Sequence, residues 1–196
     1  MKQSIFDTLL GTGFLVIVIG WFVDHFLTSK RDGIARKDNA SMQHLEKQIQ
    51  ELYGPLFGLI RHSQMVFDVS TELLPKTSKG EIEESVFSET NLRAWRFFIE
   101  YYFLPINAKI RDLINGKMHL LESGELPKSF ELFLAHEAQF ELLHNLWKVT
   151  NIDSSKIEGK GWPIKFEADV KNTLSTLRLR QQNFLQKLIS QSAIVG

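Results

Sequence analysis

The chain has 196 residues, 23 basic and 23 acidic, a formal net charge of zero and no cysteine. Balanced charge argues against nucleic acid as the main partner, since phosphate binding draws on clustered bases. The missing cysteines exclude disulfides, thiolate zinc sites and cysteine nucleophiles.

The first predicted element is an uncharged stretch, Leu9–Val23, between Asp7 and the pair Asp24–His25. Extended to Ile5–Leu27 it is about 23 residues, or about 35 Å of helix, enough to cross a hydrocarbon core of about 30 Å. A cleaved signal would need small residues after the apolar run. Trp21, Phe22, Asp24, His25 and Phe26 stand there instead. A soluble core helix would show a polar stripe, which Thr12 and three glycines do not make. A single membrane-spanning helix is therefore expected. Lys2 precedes it, while Lys30, Arg31, Arg36 and Lys37 come after it. The positive-inside bias then puts the N-terminus outside and the rest in the cytoplasm.

The expected domains are 1–28, tail and transmembrane anchor; 29–40, a charged linker or the tail of the anchor helix; and 41–196, a cytoplasmic bundle. About 170 residues after the anchor make one domain with a real core. In its first helix, Met42, Leu45, Ile49, Leu52, Leu56 and Leu59 recur at threes and fours. Pro55 removes a backbone bond and should kink this helix, which is expected to run to about Ser70. Gly54 and Gly58 should allow a neighbour close. A loop at 74–80 and a short helix to about Phe87 come next.

Thr90 or Asn91 can cap the second long helix. Its stripe is Leu92, Trp95, Ile99, Tyr102, Ile106, Ile110 and Leu113, with a kink expected at Pro105. Six of the nine residues from Trp95 to Phe103 are aromatic. Trp95 should be core, while Phe97 and Tyr101 fall off the stripe and suggest a subunit or membrane contact. The helix should end around Ser123-Gly124. Leu126-Pro127 opens the third helix, with Phe133, Phe140, Leu143, Trp147 and His136 on its inner face. Residues 151–163 read as a long loop. The fourth helix starts near Pro163 and runs to about Gln191, with Val170, Leu174, Leu177, Phe184 and Leu188 inward, Gln181 bonding across the core, and a fraying tail.

The expected fold is thus all-α: one N-terminal transmembrane helix, then a kinked antiparallel helical bundle of about four long helices.

Catalytic patterns are scarce. Glu141-Leu142-Leu143-His144 is one Glu-x-x-His pair, and a di-metal bundle needs two. His136-Glu137 fails as a zincin because Phe140 stands where the second histidine belongs. No phosphate loop, dinucleotide fingerprint or nucleophile elbow occurs. No catalytic residue, cofactor or metal site is expected.

The Leu52–Leu56 segment, the Trp95 and Pro105 region, and Leu126-Pro127 with Phe130, Phe133 and His136 resemble a group of uncharacterised bacterial single-pass membrane proteins with a helical cytosolic domain. The resemblance implies a bacterial cytoplasmic-membrane location and no activity. In layout alone the chain is similar to CRISPR-associated membrane accessory proteins with a HEPN-like domain, which form pores. The arginine–histidine spacing of that type is missing, as seven residues separate Arg111 from His119.

The function expected is a membrane-anchored, non-enzymatic interaction or scaffold module, in a defence or envelope system. The alternatives are an oligomeric pore-forming effector and a membrane-tethered metal hydrolase using His136, His144 and Glu141. The partners expected are the lipid bilayer and either further copies of the chain or another protein. Gly54, Pro55, Gly58, Trp95, Phe97, Tyr101, Pro105 and His136 are the structural or interface candidates.

Overall fold

The computed structural model describes residues 25–26, 28–74, 89–150 and 161–195, without the side chains of 89–92 and 191–195. The anchor Leu9–Val23, the loop and short helix of 75–88, and residues 151–160 of the loop expected at 151–163 lie outside the described residues. Among the described residues no helix is long and apolar enough to cross a membrane.

The chain divides into two compact units after His44. In the first, residues 25–26 and 28–44 are helical and nearly all exposed, so the linker residues 29–40 are helix. Lys30 Nζ lies 4.8 Å from the centre of the Phe26 ring.

The second unit is all-α, with four helices among its described residues. Helix α1 covers 45–73 and includes a π-helical turn, Gln48–Tyr53, followed by the α-helical Gly54–Leu73. Helix α2 covers 89–116: Glu89–Phe98, a second π-helical turn Ile99–Phe103, then Leu104–Gly116. A 3-10 turn, Met118–Leu120, rounds the corner to α3, Lys128–Thr150. Helix α4 is Ile164–Val195. It stays helical where a fraying tail was expected.

Both π turns have the same cause. Proline lacks an N–H and its ring collides with the carbonyl four residues back. Pro55 and Pro105 each stand second in the α-helical stretch just after a π turn. The residue before each proline donates one step further back than in an α-helix: Gly54 N–H to the Ile49 carbonyl and Leu104 N–H to the Ile99 carbonyl. The wider ring makes room for the proline. The two sites share one pattern, Ile-x-x-x-Tyr/Phe-x-Pro-Leu/Ile-x-x-x-Ile, repeated fifty residues on from Ile49 at Ile99.

The second π turn corrects the predicted stripe of α2. A turn with an extra residue rotates the rest of the helix beyond it, so a strict threes-and-fours count slips there. Phe103, Ile106, Ile110 and Ile114 are buried, whereas Tyr102 is 43 % exposed. Glycine use is also clarified. A Cβ on Gly54 would lie 2.6 Å from the Ile49 carbonyl oxygen, while one on Gly58 would meet nothing within 4 Å. The close approach expected at both glycines exists only at Gly54, and it is to its own chain.

The core joins all four helices. Leu52, Tyr53, Leu56 and Ile60 meet Ile106, Ile110 and Ile114, then Phe130, Phe133, Phe166, Val170, Leu174 and Leu177. Each such side chain contributes roughly 1.5–3 kcal/mol by leaving water. Phe133 stacks on Phe166 with ring centres 4.7 Å apart, and Phe130 meets the same ring edge-on at 5.1 Å. The stripe expected on α4 holds at Val170, Leu174 and Leu177; Leu188 is 37 % exposed.

The first π turn, which shares Leu52 and Tyr53 with the Leu52–Leu56 segment, acts as a structural clamp. Gln48 Nε2 donates to the Leu120 carbonyl at 3.0 Å, and Glu122 N–H donates to the Tyr53 hydroxyl at 3.3 Å. Lys117 Nζ pairs with Glu51 at 2.6 Å. The first π turn thereby holds the corner between α2 and α3. Gly124 completes that corner with φ of 71°, a conformation that favours glycine.

Candidate functional site

The helices leave a cleft of about 340 Å³ walled mainly by rings. Helix α1 supplies Ser63, Gln64 and Phe67, and α2 supplies Trp95, Phe103 and Asn107. His136 and Phe140 come from α3, and Trp162 from the segment just before α4. The spacing along each helix explains the gathering. Ser63 and Phe67, Phe103 and Asn107, and His136 and Phe140 are each four apart, one turn on the same face. Trp95 meets Phe103 at 5.6 Å and Phe67 at 6.2 Å. His136 stacks on Phe140 at 5.5 Å and meets Trp162 edge-on at 5.7 Å.

Two expected residues, Trp95 and His136, therefore stand in one wall. Trp95 is half-buried rather than sealed in the core, because the cleft takes one of its sides. Phe67, Asn107, Phe140 and Trp162 were not singled out as members of a site. Asn107 left a signal, being a polar residue beside Ile106 and Ile110 on an inward face. It is 2 % exposed, and its Oδ1 has no hydrogen-bond partner in the protein.

A second feature lies on the outside of α1 and α2. Phe97 is 49 % and Tyr101 63 % exposed. Their rings lie 4.9 Å apart, and Phe97 also touches Phe98 and Tyr102. Phe98 and Tyr102 continue into a groove with Met65, Val66, Val69 and Leu73 of α1. Phe97 and Tyr101 thus lie on an exposed face, and Tyr102 joins them there instead of the core.

The polar residues form ion pairs between helices. Arg111 on α2 reaches Glu137 at 2.6 Å and Glu141 at 3.2 Å on α3. Burial pushes the Glu137 carboxyl above the usual carboxylate range, and the Arg111 charge pulls it back only in part. Glu100 on α2 pairs with Lys148 on α3 and lies 3.9 Å from His144 Nε2. The Lys148 hydrogen bond is the main cause that holds Glu100 low. Burial holds the His144 imidazole below its ordinary value against the pull of Glu100, with Lys148 and Arg96 adding to the depression. Arg96 lies over the Trp147 ring at 4.0 Å.

Glu141 is thus engaged by Arg111, His144 faces Glu100, and His136 lines the cleft. Among the described residues no three of His, Asp and Glu gather in a way that could hold a metal ion. Comparison with protein-family models, curated proteins and solved structures gave no match.

Proposed function

We propose that this chain is a membrane-anchored, non-enzymatic interaction module, and that the exposed aromatic face of α1 and α2 meets a second copy of the chain. The observation that carries this reading is the continuity of that face. Met65, Val69, Leu73, Phe97, Tyr101 and Tyr102 are all large, apolar or aromatic and substantially exposed. Ring contacts and a shared groove join them. Patches of this kind mark contact sites, and Tyr and Phe are enriched at interfaces.

A second copy suits the face for two reasons. Zero formal net charge gives copies no long-range repulsion. An anchor of the length read at Ile5–Leu27 would hold them in one plane and raise their effective concentration. The reading places the anchor in a bacterial cytoplasmic membrane, N-terminus outside, with the kinked bundle in the cytoplasm and its long helices antiparallel.

The test is the mass of the detergent-solubilised full-length particle by light scattering. The wild type should be an oligomer, and Phe97→Glu with Tyr101→Glu should reduce it to a monomer with unchanged thermal stability. A monomeric wild type, or an oligomer that survives both substitutions, overturns the reading.

A further inference from the structure

We propose that the ring-walled cleft is a binding site for a neutral, flat, largely apolar small molecule that donates one hydrogen bond to Asn107 Oδ1. The inference is independent of the contact face, which lies elsewhere on the surface.

The wall decides the ligand class. None of the nine residues lining the cleft is Lys, Arg, Asp or Glu. Anions and strongly hydrated cations would lose their water there without a charge to replace it. Phe67, Trp95, Phe103, Phe140 and Trp162 offer ring faces and edges instead, and flat molecules bind such surfaces by stacking and edge contacts. The volume is at the lower end for small-molecule sites, which run from about 300 to 1,000 Å³. At roughly 30 Å³ per atom, as in a liquid, it takes about ten non-hydrogen atoms.

Asn107 supplies the polar contact. A buried acceptor with no partner destabilises a fold, and such atoms call for an explanation. The fold itself does not ask for asparagine at this position. In the repeated proline pattern the equivalent of Asn107 is Phe57, a half-buried apolar residue packed on the core. One copy of the pattern thus keeps a ring where the other sets a buried carboxamide into the wall of the cleft. Oδ1 has almost no surface open to the cleft, so a small rotation of the Asn107 side chain accompanies binding; a donor on the ligand then satisfies Oδ1 and fixes the orientation of the bound ring.

The experiment uses the full-length chain in phosphatidylcholine nanodiscs with 5-fluorotryptophan incorporated. Trp95 and Trp162 report from the wall, while Trp147 lies outside the lining. The probes are indole, which has an N–H donor, and benzothiophene, which has the same shape without it. Both should shift the Trp95 and Trp162 resonances saturably and leave Trp147 in place. In Asn107→Leu the ratio of indole to benzothiophene affinity should fall about tenfold, the usual weight of one hydrogen bond. Asn107→Ala repeats the comparison with a smaller side chain, should Asn107→Leu not fold. Absence of a saturable shift, or a probe ratio unchanged by either substitution, overturns the proposal; the latter is the result expected of a cleft that takes up any apolar molecule.

Discussion

Glu137 and His144 lie about two turns apart on α3, and burial displaces their titrations in opposite directions. The native Glu137 carboxyl binds its proton at a higher pH than the unfolded one. The folded state then holds more protons just above the ordinary carboxylate value, so this group's contribution falls as pH rises through that window. The native His144 imidazole binds its proton at a lower pH than the unfolded one. Its contribution is complete above the ordinary histidine value and is lost as pH falls below it. Thermal melts of Glu137→Gln and His144→Gln between about pH 4.5 and 7.5 separate the two. Relative to wild type, Glu137→Gln should gain ground toward higher pH, and His144→Gln should gain ground toward lower pH. Ser129 gives a third expectation at this scale. Its Oγ is buried without a partner, so Ser129→Ala should be neutral or stabilising by up to about 1 kcal/mol in urea unfolding.

The helices carry their own predictions. Gly54→Ala places a Cβ against a backbone carbonyl that cannot rotate away, which should cost about 1–3 kcal/mol, as overpacking does. Leu104 holds the matching position in the second π turn, so it is the tightness of the first turn, and not π geometry in general, that asks for glycine. Gly58→Ala, in open space, should instead stabilise by about 0.5–1 kcal/mol. Chemical denaturation of the two variants side by side reads both signs. Among the aromatic residues, Phe103→Ala should cost about 3–5 kcal/mol as a buried ring. Phe97→Ala should cost much less, because half of that ring is already in water. A Phe97→Ala loss as large as that of Phe103→Ala would mean that the outer face is packed.

Across the whole molecule, the four-helix layout was legible because core positions recur with helical spacing over long runs. Val170, Leu174 and Leu177 on α4, and Ile106 and Ile110 on α2, were placed correctly by that count alone. Tyr102 was misplaced because the count kept one helical period up to the kink expected at Pro105, and a π turn holding an extra residue stands there. The cleft was hidden for a different reason. Its rings come from four separated stretches, Phe67, Trp95–Phe103, His136–Phe140 and Trp162, and no local pattern joins them. Topology is a prediction for the whole chain. A cytoplasm-dependent fluorescent reporter on the C-terminus should be bright, and a phosphatase active only outside the membrane should be silent there. The opposite pair of signals would reverse the orientation derived from Lys30, Arg31, Arg36 and Lys37.

The paired π turns bear on how this chain tolerates a change of length. Removing one residue from an ordinary helix swings every later side chain by about 100° and breaks the packing beyond it. A π turn already holds one residue more than the α-helical path needs. Deleting Tyr101 together with Pro105→Ala would draw the turn into plain α-helix and leave Ile106, Ile110 and Ile114 facing the same core. Deleting the exposed Lys109 from the same helix has no such slack to absorb it. The first shortened chain should still melt cooperatively, and the second should not fold. The extra residue at each proline would then be a spare link, which this fold could lose at that place and at few others.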